Sequence, residues 1–173
     1  MRNLGTLYLD GKGVGSDQKK AISLFEKSAA LGNAKAMRNL GYIYYFGGAV
    51  DRDLKKAAEY FEAAAKAGSD RAKFDLGRLY YRGHGVERDL ARAARHFEES
   101  AKEGYARAQL FLGIMYSKGQ GVKRDPATAY YWLTLAEAGE QKTARSYLSN
   151  LKDFLTPEQV SKARAKAKAF RPE

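Results

Sequence analysis

Ala36, Leu40, Ile43 and Tyr44 recur at spacings of three and four, which predicts an amphipathic helix that buries one stripe. Gly47 follows directly, where a left-handed residue ends a helix cheaply, and Val50 returns an apolar side chain to the stripe. Asp53 then stands as an N-cap, its carboxylate placed to accept hydrogen bonds from the free backbone amides of a new first turn. Beyond it Ala57, Tyr60, Phe61, Ala64 and Ala65 resume helical spacing until Gly68 closes the run. The pattern predicts two antiparallel helices, A and B, joined by a short glycine-bearing loop.

This cassette is written four times with a period of 36 residues and no insertion or deletion. Gly5, Gly41, Gly77 and Gly113 keep the spacing, as do Gly11, Gly47, Gly83 and Gly119, then Val14, Val50, Val86 and Val122, and the capping residues Asp17, Asp53, Asp89 and Asp125. A unit of this size cannot bury its apolar face alone, so the period predicts a solenoid of stacked helix pairs. Glycine inside a helix costs about 1 kcal/mol against alanine, so its recurrence in helix A predicts a seam where two helices approach closely. Ala57, Ala93 and Ala129 fit the same seam, filled by Leu40, Leu76, Leu112, Phe61 and Phe97.

The grid divides the chain into repeats at residues 1–33, 34–69, 70–105 and 106–143 and a remainder at 144–173, all expected in one solenoid domain. Met1-Arg2-Asn3-Leu4 matches Met37-Arg38-Asn39-Leu40, so the chain is expected to begin inside a helix A. In the remainder, Ala144, Leu148 and Leu151 predict a degraded fifth helix A. Thr156-Pro157-Glu158-Gln159 then opens a last helix through Val160, Ala163, Ala167 and Phe170, whose lysine-rich outer face makes a cap for the array.

Strings such as LGRLYYRGHGVERDLARAARHFEESAKEG, from Leu76 to Gly104, and LGIMYSKGQGVKRDPATAYYWLTLAEAG, from Leu112 to Gly139, resemble the Sel1-like repeat, a relative of the tetratricopeptide repeat. The resemblance covers Leu4 to about Ala144. The second copy departs by carrying Ala49 where the others have Gly13, Gly85 and Gly121, and the fourth departs at its end with Glu137 and Gly139. The resemblance implies an all-α, right-handed α/α superhelix that acts as a non-enzymatic protein-interaction scaffold or adaptor. Bacterial members of the family serve in envelope and signalling assemblies, and some neutralise secreted toxins as immunity proteins.

With 173 residues, 45% of them hydrophobic, and three prolines, the chain can bury a substantial core. It contains no apolar stretch of about 18 residues, so no membrane-spanning helix is predicted, and its first residues lack the apolar core of a signal peptide. The absence of cysteine excludes disulfides and thiolate metal sites and fits a reducing cytoplasm or a cysteine-free periplasmic protein equally. A net charge of +11 favours acidic partners: an acidic protein or peptide, an anionic polymer or nucleic acid.

No catalytic constellation is expected. His84 falls in a loop and His96 on a helix B, without a repeated carboxylate pair beside them. Gly11-Lys12-Gly13-Val14-Gly15-Ser16 superficially resembles a phosphate-binding loop but lacks its Gly-Lys-Ser/Thr ending and a preceding strand. The four periodic aspartates are accounted for by capping, so neither metal nor cofactor is expected.

If the helices stack as in tetratricopeptide arrays, helix A lines the concave face. Arg38, Tyr42, Tyr45 and Phe46 then point into it, followed by Arg71, Phe74, Arg78, Tyr81 and Arg82, and by Arg107, Leu110, Ile114 and Lys118. Arginine and aromatic residues are the types enriched at interaction hot spots, so this face is the expected partner site. An alternative basic edge runs along the loops through Arg52, Arg88 and Arg124, where a nucleic acid could find phosphate partners.

Overall fold

The computed structural model describes residues 1–11, 15–48 and 50–172, and every regular element among them is helical. Lys12, Gly13, Val14 and Ala49 lie outside the described residues, and with them the phosphate-loop look-alike and the departure of the second repeat from its glycine pattern. The chain divides into two compact units, Met1–Arg88 and Asp89–Glu173. The first holds α1 (Arg2–Asp10), α2 (Gln18–Ala30), α3 (Ala34–Phe46), α4 (Leu54–Lys66) and α5 (Asp70–Arg82). The second holds α6 (Leu90–Lys102), α7 (Ala106–Lys118), α8 (Pro126–Ala138), α9 (Ala144–Leu151) and α10 (Pro157–Lys168), with a single 3-10 turn after α9.

Helix B begins where the aspartates stand. Asp17, Asp53 and Asp89 each accept a hydrogen bond at 2.9 Å from the backbone amide three residues on, and Asp125 accepts two, from Ala127 and Thr128. The loop before each cap folds back onto helix A. The amides of Asp17, Asp53 and Asp125 donate to the carbonyls of Tyr8, Tyr44 and Tyr116. Helix B ends in Gly32, Gly68 and Gly104 with paired closing bonds such as Gly68 N–H to Ala65 O and Ser69 N–H to Ala64 O.

Where the sequence predicts a left-handed glycine at the end of helix A, Gly83 and Gly119 adopt it, but Gly47 has φ 78° with ψ −158° and turns the chain more openly. At the end of helix B, where Gly32, Gly68 and Gly104 have positive φ, the fourth repeat places Glu140, at φ 64°. Gly139 cannot be anything larger: a β-carbon there would lie 2.3 Å from that of Ala106.

The glycine seam is a contact between helix A and the ring or branch of helix B. A β-carbon on Gly41 would lie 2.7 Å from Phe61, one on Gly5 2.9 Å from Phe25, and one on Gly113 2.7 Å from Leu133. The first unit holds two clusters, one around Ala21, Ile22, Phe25, Ala36 and Leu40 and one around Tyr44, Ala57, Phe61, Leu76 and Leu79, and each contains one of the seam rings, Phe25 or Phe61. Val50 and Tyr60 touch both, so the valine between the helices ties adjacent hairpins together. In the second unit Phe97, Leu112, Met115, Tyr130 and Leu133 are fully buried.

The last helix opens with the predicted capping box: Gln159 N–H donates to Thr156 Oγ1 and Thr156 N–H to Gln159 Oε1. It ends at Lys168, short of the expected Phe170, and packs on α8. Lys162, Arg164, Lys166 and Lys168 on it are exposed, and Lys166 Nζ lies 4.6 Å above the Tyr131 ring.

Candidate functional site

Arg38, Tyr42 and Tyr45 follow one another at helical spacing on α3, and Arg71, Phe74, Arg78, Tyr81 and Arg82 lie on α5. The structure sorts these expected contact residues into two groups. Arg38 and Tyr42 are committed to a carboxylate that the sequence reading passed over. Arg38 Nε donates to Asp75 Oδ2 at 2.7 Å, the Tyr42 hydroxyl donates to Asp75 Oδ1 at 2.7 Å, and Arg38 Nη2 donates to the same hydroxyl at 2.8 Å. Arg78 Nη1 stands 3.9 Å from Asp75 Oδ1.

Asp75 is only 2% exposed. Burial pushes its carboxyl above the ordinary range, opposed by the charges of Arg38 and Arg78 and by the bonds from Tyr42 and Arg38. Burial, with the charge of Asp75 added, also raises the Tyr42 hydroxyl, which stays protonated and able to donate. A signal for this residue was present in the grid: Asp75 sits 36 residues after Asn39, so a polar side chain recurs beside the buried Leu40 and Leu76.

Phe74 does not belong to the surface. It is 3% exposed, because α5 buries Ala72, Phe74, Asp75, Leu76, Gly77 and Leu79, more of its circumference than one stripe. Arg71 and Arg82 are exposed, and Tyr81 is half-buried.

An aromatic group forms at the end of α3. Phe46 is 72% exposed, lies parallel to Tyr42 with centroids 6.0 Å apart, and meets the Tyr45 ring edge-on at 5.0 Å. The Tyr45 hydroxyl is 3.0 Å from His84 Nδ1, and the Arg52 guanidinium lies 5.9 Å from the Tyr45 ring centre. The same position carries Arg82 in α5 and Lys118 in α7. An apolar ring in water at that point of the grid is peculiar to the second repeat.

The alternative edge has a structural use. Arg52, Arg88 and Arg124 donate through Nε to the carbonyls of Tyr45, Tyr81 and Ser117 at 3.1, 3.2 and 3.2 Å. Each therefore satisfies an acceptor in the last turn of helix A, where the helix dipole also favours a cation. Arg124 further lies 4.8 Å above the Phe154 ring.

In the second unit Arg107 and Lys118 of α7 are exposed, and Lys118 Nζ is 5.8 Å from the Tyr147 ring centre. Leu110, expected beside them, is buried at 9% exposure. His96 Nδ1 is 3.9 Å from Glu99. Among the described residues no three His, Asp or Glu side chains gather as metal ligands, and no helix is long and apolar enough to cross a membrane.

Four segments, residues 1–33, 34–69, 70–105 and 106–139, match the Sel1 repeat. Among solved structures, a protective antigen of uropathogenic Escherichia coli with the SLR fold is 34% identical with a TM-score of 0.85, over 98% of this chain and 36% of its own. A Sel1 repeat protein from Oxalobacter formigenes is 30% identical with a TM-score of 0.82, over 98% of this chain and 71% of its own. Cysteine-rich protein B of Helicobacter pylori, at 23% identity and a TM-score of 0.59, shares the fold over 79% of this chain and 98% of its own. The chain thus spans about a third of the first of these proteins. No curated protein matches it.

Proposed function

Since the chain belongs to the Sel1 repeat family, whose members are typically protein–protein interaction scaffolds, we propose that it is a non-enzymatic binding module that takes a protein partner on the face formed by α3 and α5. The observation that carries this reading is the exposed ring of Phe46 at 72%, seated on Tyr42 and Tyr45. A single exposed ring such as Phe154, 60% exposed, needs no partner, but Phe46 is one of three clustered rings, and aromatic anchors beside arginine are the usual hot spots of an interface. Arg82 and Arg71 supply exposed cations on the same pair of helices. Arg38 and Tyr42, fastened to Asp75, give the patch a rigid floor rather than direct contacts. Rigid floors favour affinity because little side-chain freedom is lost on binding.

The nucleic-acid reading is weaker, because the three arginines of the loop edge are engaged with helix carbonyls. Replacing Phe46 by a photo-reactive phenylalanine analogue and irradiating cells that express the protein tests the proposal. A single protein crosslinked from position 46, and not from the exposed Asn150 of the second unit, is the expected result. A captured toxin whose activity falls on binding would assign the neutralising role. Nucleic acid as the main adduct, or equal labelling from both positions, overturns the proposal.

A further inference from the structure

At the other end of α3 from Phe46 lies a cleft of about 470 Å³. It opens between the starts of α3 and α5 and is lined by Arg2, Lys35, Arg38 and Arg71, with Ser69 and Asp70 in its wall. The cations outnumber the one carboxylate, which itself lies 3.3 Å from Lys73 Nζ. Arg38 is paired with the buried Asp75 and forms the floor, so the cations offered to a ligand are Lys35, Arg71 and Arg2, whose guanidinium donates to Asn3 Oδ1. The first turns of two 13-residue helices, capped by Asn33 and Ser69, add the positive ends of their dipoles to the same space. Lys35 belongs to a register unnoticed in the sequence: Lys35, Arg71 and Arg107 are spaced 36 apart at the second position of helix A.

We infer that this cleft is a carboxylate-binding site that receives the acidic end of an extended segment of the protein partner, while an apolar side chain of that same segment covers Phe46. The inference rests on the reading of the α3–α5 face as a protein-binding surface and adds to it the chemistry of what is bound. Two features select an acidic peptide over other anions. The cations are spread over three helix starts in a cleft that holds several carboxylates rather than one ion, and the stripe Arg38, Tyr42, Tyr45 runs from it to an apolar anchor. Lys35 and Phe46 are 11 residues apart on α3, about 16 Å at the helical rise. An extended chain covers that span in about five residues.

A fluorescein-labelled peptide of three glutamates, a four-residue Gly-Ser spacer and a phenylalanine is the probe, read by fluorescence anisotropy at physiological salt. Binding should weaken at least tenfold when glutamine replaces the glutamates, when the spacer is cut to one residue, and in the Lys35→Glu/Arg71→Glu protein with an unchanged melting temperature. Lys162→Glu, on α10, serves as the charge control and should leave binding within twofold. Equal binding of the glutamine peptide, equal binding by the charge-reversed protein, or no binding of any peptide sinks the inference. So does tighter binding of a labelled twelve-residue oligothymidylate. Crosslinking from position 46 is independent of these readouts, so a failed cleft leaves the protein-binding reading to stand or fall by itself.

Discussion

Glu140 is the sole non-glycine among the described residues with a positive φ. It occupies the place that Gly32, Gly68 and Gly104 hold in the other repeats, because Gly139 is needed one residue earlier against Ala106. A left-handed conformation strains any residue with a β-carbon. Glu140→Gly is therefore expected to raise unfolding free energy by about 0.5–1 kcal/mol, read from the urea midpoint. Gly41→Ala should act in the opposite sense. Its methyl would meet the buried Phe61 ring at 2.7 Å, and overpacking of about 1–3 kcal/mol outweighs a propensity gain of about 1 kcal/mol. Circular-dichroism melting checks it, and a higher melting temperature would contradict the seam.

Asp75 sets a pH dependence whose sign is fixed by its raised pKa. A carboxyl that holds its proton more tightly when folded contributes most below its unfolded value, about pH 4, and loses that contribution as pH rises through its raised folded value. Urea midpoints from pH 3 to 7 should show the parent losing ground against Asp75→Asn as pH rises. A parent that gains ground would mean that Arg38 outweighs desolvation. Asp75→Ala, which strands the Tyr42 hydroxyl and the Arg38 guanidinium, should cost about 1–3 kcal/mol at any pH in that range.

At the scale of the element, the hairpin was legible because each of its punctuation marks has a single physical use. Apolar spacing predicts both helices, and Asp17, Asp53, Asp89 and Asp125 cap as their position demands. What the periodicity of arginine could not reveal was its partner. Arg52, Arg88 and Arg124 read as a charged ridge, yet a guanidinium that reaches back seven residues to a carbonyl looks the same in sequence as one that faces solvent. Each Arg→Ala change there should lower stability by no more than about 1 kcal/mol, measured by thermal melting, and leave partner affinity unaltered. Phe74 and Asp75 escaped for a related reason. A single-stripe reading assigns half of a helix to water, whereas α5 is enclosed over most of its circumference.

At the scale of the whole molecule, the period of 36 and the charge of +11 were readable at once. The period places the chain in a repeat class whose folding is explained without any site. Function then has to be sought in what the repeat does not need: Phe46 where other copies carry a charge, and cations at the starts of α3 and α5. The most direct test compares the affinity of the crosslinked partner for two variants, each confirmed folded by circular dichroism. For Phe46→Ser/Arg82→Glu it should fall at least a hundredfold, the loss of two hot-spot residues at about 3 kcal/mol or more together, while Arg52→Ala/Arg88→Ala/Arg124→Ala stays within threefold of the parent. The reverse outcome, with binding kept by the first variant and lost by the second, contradicts the assignment of the α3–α5 face and moves the site to the loop edge.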